Sequence, residues 1–269
     1  MNIGSIAVGS GAPLVVIAGP CVIESEASTL AAARRLAELS QRLAVSVVFK
    51  SSFDKANRTS VHSFRGPGLE EGLRILARAR AESGIPLLTD VHTPDQCARV
   101  GEVVDVLQIP AFLCRQTDLL AAAGRIGRAV NVKKGQFVAP HEMRHAVDKL
   151  AEVGCKDVLL TERGASFGYR DLIVDFRTLV WMRTFAPVCF DATHAVQSGS
   201  GPDGQTTGGD RELARPLARA AAAVGIDSLF CEVHEDPDRA KSDAQSQLTW
   251  PLFEETVRDV LAVKKAAGL

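Results

Sequence analysis

The chain has no excess of either charge, no long apolar run, no paired-cysteine motif and no low-complexity tract. Its formal net charge is −1, from 31 Lys and Arg against 32 Asp and Glu. That balance excludes generic nucleic-acid or polybasic membrane binding, although local cationic clusters can still serve small anions. No apolar run approaches the roughly 18 residues needed to span a bilayer. The stretch from Met1 to Ala12 lacks a basic start followed by an apolar core, so it does not read as a secretory signal. A soluble, cytoplasmic protein without membrane partners is expected. The six cysteines (Cys21, Cys97, Cys114, Cys155, Cys189 and Cys231) form no Cys-x-x-Cys pair and no compact disulfide framework. In a reducing cytosol the default for each is a buried, unpaired thiol.

What is present is a steady alternation. With 269 residues, 46% of them hydrophobic and 23% charged, the chain suits one large domain covering residues 1–269. Short β-rich runs are predicted at Leu14–Ala18, Val47–Lys50, Pro86–Asp90, Asp105–Ile109, Ala129–Lys133, Asp157–Thr161, Pro187–Asp191 and Ser228–Glu232. Most are apolar through the middle, as strands covered on both faces must be. Helical patterns lie between them: Ala27–Leu43, Leu69–Glu82, Thr93–Glu102, Asp118–Gly127, Pro140–Val153, Arg177–Phe185, Arg211–Val224 and, last, Leu252–Lys265. Gly84, Gly127, Gly154 and Gly225 follow four of these, where a left-handed residue is wanted. Eight strand–helix units in one domain predict an α/β fold of the (β/α)8, or TIM-barrel, type, with a doubly wound open sheet as the alternative. The Gly-rich stretch Ser198–Gly209 reads as a mobile active-site loop.

The polar residues fall in a pattern of their own. Cys21, Lys50, Asp90, Gln108, Lys133, Arg163, His194 and Glu232 each lie at, or within three residues of, the C-terminal end of a different predicted strand. In a barrel those ends converge on the face that carries active sites. Singly, each would be a cap or loop residue. Together they include Lys, Arg and Glu side chains that are costly at a crowded mouth without ionic partners. Lys50, Lys55, Lys133 and Arg163 suit phosphates and carboxylates, Arg as a planar fork and Lys as a point charge. Asn57-Arg58-Thr59-Ser60 adds a guanidinium, an amide and two hydroxyls, a set fit for a terminal phosphate. Cys21, His194, Glu232 and Asp243 make a plausible ligand set for a divalent ion such as Zn, Fe or Mn, with His234 and Asp236 as nearby alternatives. A hydrogen-bonded network without metal is the competing reading.

Several segments go further. Gly19-Pro20-Cys21-Val22-Ile23-Glu24-Ser25, Phe49-Lys50-Ser51-Ser52-Phe53-Asp54-Lys55-Ala56-Asn57-Arg58 and Gln108-Ile109-Pro110-Ala111-Phe112-Leu113 resemble the 3-deoxy-D-manno-octulosonate-8-phosphate synthase family. So do Asn131-Val132-Lys133-Lys134-Gly135-Gln136, Thr161-Glu162-Arg163-Gly164 and Asp191-Ala192-Thr193-His194, so the similarity runs from about Val15 to Gln247. The resemblance implies condensation of phosphoenolpyruvate with D-arabinose 5-phosphate, a homotetramer, and a supply of Kdo for lipopolysaccharide. Cys21 after Gly19-Pro20, with Ser242-Asp243-Ala244, is similar to the family's metal-dependent branch; the other branch carries Asn at that place.

By the same resemblance, Lys50, Ser52 and Lys55 are expected at the phosphoenolpyruvate carboxylate. Ala111 (through its N–H), Lys133 and Arg163 are expected at its phosphate. Asn57, Arg58 and Ser60 are expected to bind the pentose phosphate, Asp90 to meet its hydroxyls and Gln108 to contact substrate, while Lys133, His194, Asp243 and Asn57 are expected in the chemistry. Phe112 is expected at a subunit interface, with Arg58 completing a neighbour's site. Thr59 departs from the Ser that many relatives carry. Two rivals remain: a seven-carbon DAHP synthase using erythrose 4-phosphate, and a non-catalytic phosphosugar-binding barrel.

Overall fold

The computed structural model describes residues 1–9, 11–58, 60–169, 171–200 and 207–269. Thr59 and the tip of the Ser198–Gly209 loop, residues 201–206, lie outside the described residues.

Eight parallel strands close into a barrel: β1 (Val15–Gly19), β2 (Ser46–Lys50), β3 (Leu87–Asp90), β4 (Val106–Ile109), β5 (Ala129–Lys133), β6 (Val158–Glu162), β7 (Val188–Asp191) and β8 (Ser228–Glu232), with β8 paired back onto β1. The helices are α1 (Glu26–Leu43), α2 (Leu69–Ser83), α3 (Pro94–Gly101), α4 (Thr117–Gly124), α5 (Met143–Glu152), α6 (Arg177–Arg183), α7 (Ala214–Val224) and α8 (Trp250–Ala267). The open-sheet alternative is thereby excluded. Local chemistry explains the helix ends. Ser25 caps α1 by accepting from Ser28 N at 3.2 Å, and Thr249 caps α8 by accepting from Leu252 N at 3.4 Å. Gly84 closes α2 at φ 71, a left-handed turn that Gly makes without strain. The predicted starts at Pro140 and Arg211 come out as short 3-10 turns leading into α5 and α7.

The period-two alternation of the strands divides the core in two. Val16, Val47, Phe49, Leu87, Leu107, Val130, Leu160 and Leu229 pack outward against the helices. Val15, Ile17, Val48, Leu88, Val106, Ala129, Leu159, Cys189 and Phe230 fill the barrel, together with Ile3 and Val8. Ile3 belongs to an antiparallel hairpin, Asn2–Ile3 with Ile6–Ala7, that plugs the N-terminal mouth. This hairpin was not foreseen, because two-residue strands carry too few positions to show a period. No helix among the described residues is long and apolar enough to cross a membrane.

Candidate active site

Continuing the inward register two residues at a time places the polar groups. Beyond Val48 comes Lys50, beyond Leu88 comes Asp90, and beyond Val106 comes Gln108. Ala129 leads to Asn131 and Lys133, Leu159 to Thr161 and Arg163, Cys189 to Asp191, and Phe230 to Glu232. The upper barrel is therefore lined by polar side chains, most of them almost fully buried. Above them opens a cavity of about 530 Å³, lined by Lys50, Lys55, Asn57, Arg58, Asp90, Gln108, Ala111, Lys133, Arg163, His194, Glu232 and Asp243.

On one side stand the cations. Lys133 Nζ lies 2.7 Å from Asp191 Oδ2 and 4.1 Å from the centre of the Phe230 ring. Arg163 donates through Nη2 to Gln197 Oε1 at 2.7 Å, while its buried Nη1 has no partner among the described residues. A buried guanidinium nitrogen without an acceptor, on a residue that lines the cavity, suits an anion contact. Gln197 begins a ribbon, Gln197–Ser200 paired with Thr207–Gly209, so the predicted loop is at least partly sheet.

On the other side are the candidate metal ligands. Donor atoms of Cys21, Glu232 and Asp243 all lie within 4.8 Å of one another. His194 reaches two of them, with Nε2 3.4 Å from Asp243 Oδ2 and 3.8 Å from Glu232 Oε2. The alternatives lie elsewhere: His234 faces Glu24 at 3.5 Å and accepts from the Asp236 backbone N–H. Gly19 lets β1 and β2 close together just below Cys21, since a Cβ there would sit 2.1 Å from the Lys50 carbonyl oxygen. Asp243 adopts φ 48, a left-handed conformation uncommon for a non-glycine residue and frequent at functional sites.

The charges explain the titration behaviour. Burial pushes the Cys21 thiol well above its ordinary value, and the carboxylates of Asp243 and Glu232 push it further. Burial works against ionised Asp243, but hydrogen bonding and charge from His194, with Lys55, hold its carboxyl below the usual range. Glu232 is likewise lowered against its burial, chiefly by Lys50 and His194. Glu232 Oε2 is buried without a hydrogen-bond partner among the described residues, and such an atom beside a thiol and a second carboxylate fits a divalent ion.

Three expected residues do not line the cavity. Cys21 lies beneath it, its Sγ 3.1 Å from Ser242 Oγ and 3.4 Å from Asp243 Oδ2. Ser52, expected at the substrate carboxylate, gives its hydroxyl to Asp90 and is not among the lining residues. Ser60 accepts from the His62 backbone N–H at 3.3 Å, in a turn set back from the lining. Arg58, expected at the pentose phosphate and in completing a neighbour's site, lines the cavity of its own chain and donates to Ser242 Oγ at 2.6 Å. Residues not singled out from the sequence also contribute: Asp191, Asn131, Thr161, His92 and Gln197. Asn131 donates to Gln108 Oε1 at 3.0 Å and Thr161 to Asn131 Oδ1 at 2.6 Å, fixing the barrel floor. Counting back two residues at a time along each strand from its polar end would have found the first three.

Comparison with known proteins agrees with this arrangement. A protein from Desulfatibacillum aliphaticivorans named 2-dehydro-3-deoxyphosphooctonate aldolase is 55% identical over 262 residues, 97% of this chain and 96% of its own length. Proteins of the same name from Synechococcus sp. and Syntrophotalea carbinolica are 57% identical over 262 residues and 54% over 264, covering 97% and 98% of this chain and 92% and 95% of their own. The family model described as DAHP synthetase I matches residues 1–266. With a match that runs nearly end to end over a closed barrel with its polar mouth, the chain belongs to the DAHP synthetase I family.

Proposed function

We propose that this chain condenses phosphoenolpyruvate with D-arabinose 5-phosphate to give 3-deoxy-D-manno-octulosonate 8-phosphate and inorganic phosphate, as a metal-dependent enzyme of one catalytic domain. The observation that carries this reading is a single cavity lined by Lys133 and Arg163 and by Glu232 and Asp243, with Cys21 packed against those two carboxylates. The names of the similar proteins support the eight-carbon product over the seven-carbon one.

The bonding changes are simple. Carbon 3 of the enol ester attacks the aldehyde carbon, whose oxygen takes up a proton. Water adds at carbon 2, and the bond from carbon 2 to the phosphate oxygen then breaks. Lys133 and Arg163 hold the phosphate and stabilise it as it leaves, because fixed positive charge in a water-poor cavity needs no reorganisation. Ala111, at the start of a 3-10 turn on the cavity wall, offers its N–H to the same group. Lys50 and Lys55 counter the carboxylate. Asn57 and Arg58 bind the pentose phosphate at the outer rim, Asp90 and Gln108 meet the sugar, and His194 and Asp243 stand at the reacting aldehyde. Cys21, His194, Glu232 and Asp243 would hold the divalent ion (Zn, Fe or Mn), which when bound supplies Lewis acidity toward the aldehyde.

The enzyme is further read as a cytoplasmic homotetramer supplying Kdo. Phe112, 54% exposed beside the cavity, supports a covering subunit. The test is phosphate release by metal-loaded protein given phosphoenolpyruvate with either arabinose 5-phosphate or erythrose 4-phosphate, with and without chelator. Release with the pentose phosphate alone, abolished by chelator, is expected. Equal or better turnover of the tetrose phosphate would overturn the assignment.

A further inference from the structure

We infer that Asp191 is the positioning residue that sets the anion side and the metal side of the cavity together, by fixing which nitrogen of His194 carries a proton and by sharing its carboxylate with Lys133. The inference rests on the metal reading above. Asp191 ends β7 and is completely buried. Its Oδ2 lies 2.7 Å from Lys133 Nζ and 2.8 Å from His194 Nδ1. Its Oδ1 accepts from the His194 backbone N–H at 2.9 Å and from Thr193 Oγ1 at 3.1 Å. Each oxygen is thus engaged twice, and Asp191 is not part of the cavity lining. It acts only through its neighbours.

The direction of its effect follows from the chemistry of the groups. An ionised carboxylate can only accept, so a 2.8 Å approach to His194 places the proton on Nδ1. Lys133, 3.3 Å from the same nitrogen, then has Asp191 rather than the ring as its acceptor. The other ring nitrogen, Nε2, is left to face Asp243 and Glu232. That is the tautomer a metal-binding imidazole needs, and a carboxylate on the far nitrogen is the usual way to secure it. The same oxygen keeps a negative charge against Lys133, so it tempers the pull of that lysine on phosphate.

Asp191→Asn separates these effects from simple damage. Its amide can donate to Nδ1 and drive the ring proton to Nε2, where a ligand lone pair is wanted. Cobalt(II) affinity is measured in competition with a chromophoric chelator, following the thiolate-to-cobalt absorption, and inorganic phosphate affinity is measured on metal-free protein. Cobalt affinity is expected to fall about 10- to 100-fold, while phosphate affinity rises a few-fold as the competing carboxylate charge is lost. A collapsed site would weaken both, and that outcome overturns the inference, as does unchanged cobalt affinity. If the single variant does not fold, Lys133→Met with Asp191→Asn leaves no unpaired charge, and its cobalt affinity alone decides. Parent protein without a thiolate–cobalt band would instead overturn the metal site itself.

Discussion

Lys50 Nζ lies 2.6 Å from Glu232 Oε1, a fully buried ion pair that spans the barrel mouth across β1. The same ammonium donates to the Cys21 carbonyl oxygen at 2.9 Å, so one side chain braces two candidate metal ligands. Removing one partner of such a pair strands the other in a poorly solvated place. Lys50→Met is expected to cost about 3–5 kcal/mol of stability in metal-free protein. With a divalent ion bound the loss is expected to be smaller, because the ion replaces the missing charge beside Glu232. Urea unfolding with and without metal measures the difference. Equal losses in both states would argue against an ion next to Glu232.

Arg163 is expected to matter for turnover more than for folding. Its guanidinium is held by Gln197 at the cavity wall, and its Nη1 has no partner among the described residues. Arg163→Ala is expected to lower turnover about 10²-fold or more, the scale seen when a fixed charge partner of a departing group is lost. Circular dichroism should remain that of the parent. Near-normal phosphate release would remove Arg163 from the anion site.

Metal binding is expected to depend on pH with a defined sign. Burial, then Asp243 and Glu232, raises the Cys21 thiol above its ordinary value, so the metal-free protein holds it protonated at neutral pH. Binding an ion as thiolate must expel that proton, and affinity therefore rises as pH rises, by about tenfold per unit for one proton. Cys21→Ala is expected to weaken binding and flatten this slope without unfolding the barrel. Cys21→Asn, which imitates the metal-independent branch, is expected to leave reduced activity that resists chelator. The readings are metal content per chain and chelator sensitivity between pH 6 and 8 (roughly the range where the thiol stays protonated without metal). A pH-independent affinity in the parent would show that Cys21 is not a ligand.

A second buried pair flanks the anion site from outside. Lys134 and Glu162, the residues next to Lys133 and Arg163, point away from the cavity and meet with Nζ 3.5 Å from Oε2. Glu162 also accepts from the Gly164 backbone N–H at 2.5 Å, and burial raises its carboxyl above the usual value. Lys134→Met alone is expected to destabilise by about 3–5 kcal/mol, whereas Lys134→Met with Glu162→Leu is expected to be near neutral. Thermal unfolding of the two variants makes the comparison. A double variant as unstable as the single one would mean that the charges themselves stabilise the fold.

All eight barrel strands lie within one residue of the sequence prediction at either end. Their signal is strong because each is a short apolar run ended by polar residues, and a closed parallel barrel buries both faces of every strand. The site was legible for the same reason: Lys50, Asp90, Lys133 and Glu232 are polar at positions where the inward register demands a buried side chain. Ser52 shares that register, but the pairing of its hydroxyl with Asp90 is one that no spacing encodes. Arg58 shows the same limit, since its reach to Ser242 depends on how two loops 184 residues apart fold over each other.

The short apolar runs, each ended by polar residues and separated by helical patterns, determined by themselves the eight strands, the face on which they end and the cations that gather there. Those follow from the length of each apolar run and from the helical period of 3.6, which are local properties of the chain. Only the closed barrel decided that Cys21 would meet Asp243, 222 residues away, and that Asp191 would join Lys133 to His194. Closure brings β8 against β1 and turns eight strand ends into one ring. Which groups pair within that ring is settled by charge and packing in three dimensions, where a buried carboxylate takes distant donors such as Lys133 alongside its neighbours in sequence.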